Sequence, residues 1–79
     1  MALEIIQETV PSEFGDYQVY KTEVRGRKFE ILKNEKLSFW TVYSVGKGDP
    51  RMHFGKTFDS VAEIEAHYKS LAGISAIIQ

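Results

Sequence analysis

Cysteine is absent from this chain of 79 residues, which removes disulfide staples, thiolate metal sites and cysteine nucleophiles together. Stability must come from packing. Long apolar runs are missing as well: none approaches the length of a membrane helix, and the start, MALEIIQETV, carries Glu4 and Glu8 where a secretory leader would be basic. A cytoplasmic protein is expected. Histidine is scarce, and neither His53 nor His67 has a second imidazole or a carboxylate at ligand spacing, so no metal is expected. The serines lack a GxSxG setting, and Glu63 and Glu65, two apart on a helix, diverge instead of forming an acid and base pair. Neither catalysis nor a cofactor is expected.

What remains is a folded domain. The apolar fraction of 43% and the charged fraction of 27% are close to globular norms. The length suits one core and leaves little room for a deep pocket besides. The formal net charge of −1 hides a segregation. Residues 1–24 carry five acids against Lys21, residues 25–56 carry eight cations against three acids, and residues 57–79 carry three acids against Lys69. The middle is basic and both ends are acidic.

The chain reads as a single domain of the α+β class over residues 1–79, an antiparallel sheet of four to five strands with one amphipathic helix packed on one face. Residues 1–10 form an N-terminal arm or edge strand, set off by the irregular stretch from Val10 to Asp16, where Pro11 lacks a backbone donor and Gly15-Asp16 favours a turn. Residues 17–58 form the sheet. Period-two alternation starts at Tyr17, Arg25-Gly26 makes a tight turn, and Arg27 to Lys33 returns as a hairpin. Asn34-Glu35-Lys36 turns into a central strand from Leu37 to Val45, and Met52 to Phe58 supplies another.

The helix is expected over 61–72, with Ser60 and Glu63 as a capping box, Val61, Ile64, Tyr68 and Leu71 as its apolar stripe, and Gly73 as its left-handed terminator. A short final strand is expected over 74–78, because Ile74-Ser-Ala-Ile-Ile78 is apolar and β-branched. Such a helix is about 18 Å long and covers only about two or three strands. One sheet face is therefore left without a helical cover.

Strand alternation assigns Val19, Phe29, Ile31, Phe39, Tyr43, Phe54 and Phe58 to the helix-covered face. It assigns Tyr20, Leu32, Trp40 and Val42 to the open one, beside Lys28, Glu30 and His53. An open face bearing Trp and Tyr among mixed charges has the composition of a protein-interface hot spot. The expected function is a small protein-interaction module that docks a protein partner or a second copy of itself as a homodimer. Trp40, Tyr20 and Leu32 serve as anchors, while Lys28, Arg25 and Arg27 set electrostatic register.

The alternative is a nucleic-acid-binding module using Arg25, Arg27, Lys28, Lys33, Lys36 and Arg51, with cations on phosphates and rings on bases. Acidic flanks and rings committed to the core count against it. Gly55-Lys56-Thr57 is like the end of a phosphate-binding loop, but Pro50 stands where that loop needs glycine.

From Phe58 to Tyr68 (Phe-Asp-Ser-Val-Ala-Glu-Ile-Glu-Ala-His-Tyr), a strand end entering a capped helix, the chain resembles small phage-encoded inhibitors of the anti-CRISPR type. The resemblance covers these eleven residues of the chain. It implies a non-enzymatic blocker of a host nucleoprotein complex, acting in the host cytoplasm. The strand-strand-strand-helix order is also similar to the arm-binding domains of phage-type integrases, which lay a sheet on DNA and are usually basic. No functional residue carries over from either family.

Overall fold

In the computed structural model, which describes residues 4–45 and 55–78, five strands lie in chain order within one antiparallel sheet. They are β1 (Ile6–Val10), β2 (Tyr17–Val24), β3 (Arg27–Asn34), β4 (Trp40–Val45) and β5 (Lys56–Phe58). A short helix, α1 (Val61–His67), follows, and then two 3-10 turns, Lys69–Leu71 and Ile74–Ala76. Among the described residues no helix is long and apolar enough to cross a membrane.

Local chemistry sets the strand boundaries. Arg25 and Gly26 both take positive φ, 53° and 82°, the pair of left-handed residues that a type I′ turn requires to match the twist of its strands. That turn locks β2 to β3 from Val24 opposite Arg27 to Tyr17 opposite Asn34. At the far end, the Leu37 N–H donates to the Asn34 carbonyl at 3.1 Å, and the Lys36 N–H donates to Asn34 Oδ1 at 2.8 Å. This turn, led by an asparagine side chain, delays β4 to Trp40, three residues beyond its expected start. The N-terminal segment is the edge strand β1, paired to β2 from Ile6 opposite Lys21 to Val10 opposite Tyr17. Of the strand expected over Met52 to Phe58, β5 is the described part, and Met52, His53 and Phe54 lie outside the described residues.

The face assignment needs correction. Register places Tyr20 opposite Ile31 and Ile31 opposite Val42, and Lys33 opposite Trp40 and Trp40 opposite Phe58. Tyr20, Phe29, Ile31, Trp40, Val42 and Phe58 therefore share one face and one buried cluster. Val19 and Tyr43, expected beside them, stand on the opposite face, and Phe39 is exposed. The physical reason is the two-residue turn, which pairs odd with even positions across the hairpin. Val19 and Phe29 consequently cannot share a face.

Two further expectations fail at the C-terminal end. The helix stops at His67, not at 72, and 74–78 is not a strand. Ser60 caps α1 by accepting the Glu63 N–H at 3.3 Å, while Glu63 Oε2 accepts the Asp59 N–H at 2.8 Å, one residue before the usual partner of a capping box. Tyr68 then leaves helical geometry at φ −109° and ψ 96°. Its ring sits edge-on to Phe29 and Phe58, with centroids 5.4 and 5.9 Å away.

A helix continued to Ile74 would rotate that side chain off the Val61 and Ile64 stripe. The break instead lets Leu71, Ile74 and Ile78 all reach the core. The Ile78 N–H donates to the Ile74 carbonyl at 2.9 Å, a helical bond that seats both isoleucines on the same side. Gly73 is left-handed at φ 93°, as expected, but it leads into the second 3-10 turn instead of ending α1. Ile31, Ile64, Leu71 and Ile74 are fully enclosed, each worth about 1.5–3 kcal/mol of burial.

A candidate docking face on the sheet

Every described residue of α1 and the 3-10 turns that enters the buried cluster packs with the same sheet face. The other face has no described element over it. Its rows follow from register: Ile6, Lys21, Glu30 and Tyr43 in one, Glu8, Val19, Leu32 and Thr41 in the next. Opposite charges sit as neighbours throughout. Lys21 Nζ lies 3.2 Å from Glu8 Oε2, Lys21 opposes Glu30, and Glu23 opposes Lys28. Such pairs stabilise a sheet by a few tenths of a kcal/mol each and leave the face close to neutral.

The apolar content of this face grows towards one end. Leu32 and Tyr43 are half-buried at its centre, whereas Ile6 on β1 is 65% exposed and Val10 43%. Beyond the strand ends the exposed apolar surface continues onto the two loops. Phe14 is 74% exposed, and with Tyr17 and Leu37 it borders a hollow between the β1–β2 loop and the β3–β4 turn. Those loops hold each other: the Glu35 N–H donates to the Asp16 carbonyl at 3.1 Å, and a side chain at Gly15, where φ is 112°, would meet Glu35 at 3.0 Å. A second hollow, about 100 Å³, lies over Val19 and Leu32, too small to enclose a typical ligand. Gly55, next to β5, touches this face most closely, since a Cβ there would come within 2.6 Å of Thr41 Cγ2 and 2.9 Å of the Tyr43 ring.

The expected anchors divide. Trp40, 6% exposed, and Tyr20, 9% exposed, are core residues and cannot touch a partner. Leu32 and Lys28 do lie on the open face, Arg25 is exposed in the hairpin turn, and Arg27 Nη1 donates to Ser44 Oγ at 3.2 Å on the other side of the sheet. The residues that sequence reasoning missed are Ile6, Val10, Phe14 and Tyr43. Tyr43 stands on the open face and Trp40 in the core because the β3–β4 register also pairs odd with even positions, Glu30 opposite Tyr43 and Lys33 opposite Trp40.

The cations of the nucleic-acid alternative also separate. Arg25, Arg27 and Lys28 sit at the β2–β3 hairpin, while Lys33 and Lys36 are at the opposite end of a strand about 26 Å long. Lys33 Nζ is engaged by the carbonyls of Asn34, at 2.9 Å, and Leu37. Arg51 lies outside the described residues. Among the described residues these cations form two short basic groups with no continuous track between them.

Among the described residues two titratable groups depart from their ordinary behaviour, and both belong to the helix side. The Ser75 hydroxyl, helped by the backbone N–H groups of Gly73, Ser75 and Ile74 and opposed by some desolvation, holds the Glu65 carboxyl below its usual range. Burial pushes the Tyr68 hydroxyl up against the opposing pull of Arg27. Glu65 Oε2 accepts from Gly73 N–H at 2.6 Å and Ser75 N–H at 3.4 Å, so it latches the C-terminal turn to α1. His67 packs against Tyr68 with ring centroids 4.6 Å apart. Among the described residues no His, Asp and Glu group of three or more is arranged to hold a metal ion. A comparison of the chain with protein-family models, curated proteins and solved structures finds no match.

Proposed function

We propose that this chain is a non-enzymatic protein-interaction module and that the open face of its sheet is the surface that docks. The observation that carries this reading is the one-sidedness of the packing: the buried cluster takes up α1 and both 3-10 turns on one face, while exposed Ile6, Val10 and Phe14 run along and beyond the other. Leu32 and Tyr43 supply a partly desolvated centre, where interface energy concentrates, and Lys28 with Arg25 supplies charge at the rim. Trp40 and Tyr20 support this face from beneath. The narrower form of the reading, a phage-type inhibitor that blocks a host nucleoprotein complex, rests on the resemblance at 58–68.

The test is comparative capture with purified bait. Leu32→Asp and Tyr43→Asp should each lose a partner that wild type and a control on the helix side, Ala62→Asp, both retain, with unchanged circular dichroism in all four proteins. Partners held equally by Leu32→Asp and wild type would remove the docking face. Oligonucleotide binding at low salt that collapses as salt rises, and that Lys28→Ala weakens, would favour the nucleic-acid alternative instead.

A further inference from the structure

We propose that β1 pairs edge to edge with β1 of a second copy, on a two-fold axis through Gln7, joining two five-stranded sheets into one continuous sheet. This rests on the protein-interaction reading and names one partner for it.

The hydrogen-bond phase follows from the hairpin. In a two-residue loop the flanking pair, here Val24 and Arg27, exchanges both of its backbone bonds, and the pattern alternates from there. Thr22, Tyr20 and Gln18 therefore bond to β3, while Lys21, Val19 and Tyr17 turn their backbone towards β1. Through the β1–β2 register, Ile6, Glu8 and Val10 bond inward. Ile5, Gln7 and Thr9 consequently direct their N–H and C=O groups away from the sheet. An independent contact fits this phase: the carbonyl of Glu4, another even position, points at β2 and accepts from Thr22 Oγ1 at 2.7 Å. Pro11 occupies the next outward position and, lacking an N–H, ends the row.

β1 is the end strand of the sheet, and all five of its residues are exposed. Of the devices that blunt such an edge it carries a single charge, Glu8, and no lysine, proline or extra bulged residue interrupts Ile6–Val10. The opposite edge, β5, has three residues among those described and carries Lys56. A second copy fits the β1 edge because an antiparallel row of donors and acceptors complements itself under a two-fold axis normal to the sheet.

Charge and bonding together choose the register. Centring on Glu8 would oppose two carboxylates in a close pair and set Ile5 against Pro11, whose missing N–H removes one bond from each of those pairs. Centring on Thr9 sets Gln7 against Pro11, with a similar loss. Centring on Gln7 pairs Gln7 with itself and Ile5 with Thr9, for about six bonds, and places Glu8 opposite Ile6. Glu8 is already neutralised by Lys21 at 3.2 Å. The exposed Ile6 of each copy then approaches its equivalent across the axis, and the open faces of the two protomers become continuous.

A chain without cysteine allows a direct test. Residues opposed in a hydrogen-bonded antiparallel pair have Cα atoms about 5.5 Å apart, within disulfide range. Wild type should sediment at twice the chain mass at about 100 μM. Gln7→Cys should give a disulfide-linked dimer on mild oxidation, Thr9→Cys should remain unlinked, and Gln7→Pro, which removes an outward N–H and the exposed bond that Gln7 Nε2 donates to Gln18 Oε1 at 3.0 Å, should sediment as a monomer that circular dichroism shows to be folded. A wild-type monomer at that concentration overturns the proposal, as does cross-linking of Thr9→Cys without Gln7→Cys. Either result leaves the docking face to be judged by Leu32→Asp capture; the dimer itself, formed at β1 and not at β3, should be unchanged by Leu32→Asp.

Discussion

The rings of Tyr20 and Trp40 meet at a centroid distance of 6.3 Å, tilted by 37°, although they belong to strands separated by β3. They close over Ile31, which is fully buried between their strands. This contact ties the first hairpin to β4 inside the core.

Removing the larger ring should accordingly unfold the domain and not merely blunt a surface. Trp40→Ala is expected to cost about 3–5 kcal/mol, a large share of the total stability of a small domain. Urea denaturation should show a much lower midpoint or no folded baseline. Phe14→Ala, at a side chain 74% exposed, should change the midpoint by no more than about 0.5 kcal/mol.

The cap of α1 makes a smaller and separable contribution. Ser60→Ala removes the acceptor for the Glu63 N–H and should cost about 1 kcal/mol. In a thermal melt followed by circular dichroism, that corresponds to a fall of about 4–8 °C. A melt identical to wild type would mean that solvent satisfies this N–H equally well.

Acid should loosen the C-terminal latch. Glu65 is held below its ordinary value of 4.5 in the folded chain, so its contribution is complete above that value and is lost as pH falls through the lower, folded value. Glu65→Gln should therefore be less stable than wild type near neutrality, and the gap in urea midpoint should close as the solution is taken below about pH 4.5. A gap that stays constant with pH would show that the carboxylate charge plays no part.

The two-residue hairpin turn was legible because Arg25-Gly26 stands between two alternating runs, and its backbone takes the geometry that a tight turn demands. The helix start was legible for a similar reason: Ser60 and Glu63 signal it locally. What failed was inference across elements. β2 and β4 carry apolar residues on both sides, so alternation alone does not say whether Val19 or Tyr20 points inward. The answer lay in combining the turn length with β3, whose Phe29 and Ile31 are both buried.

The segment from Ile74 to Ile78 misled in another way. Its β-branched composition favours a strand, and residues four apart share a face in strand and helix alike, so spacing does not reveal the helical turn that the Ile78 N–H closes on the Ile74 carbonyl at 2.9 Å. The exposed Phe14 was invisible to periodicity because it belongs to a loop. Its position depends on how Asp16 and Glu35 join two turns that are distant in sequence.

The hydrogen at position 55 gives the smallest residue an outsized role. Tyr43 and Thr41 occupy the space that even a methyl group would need there, so the tyrosine ring can lie against the sheet only while its neighbour stays bare. A lineage could vary the aromatic or the glycine, but adding bulk at one without trimming the other would tip the ring outward and roughen the surface on which any visiting molecule must settle.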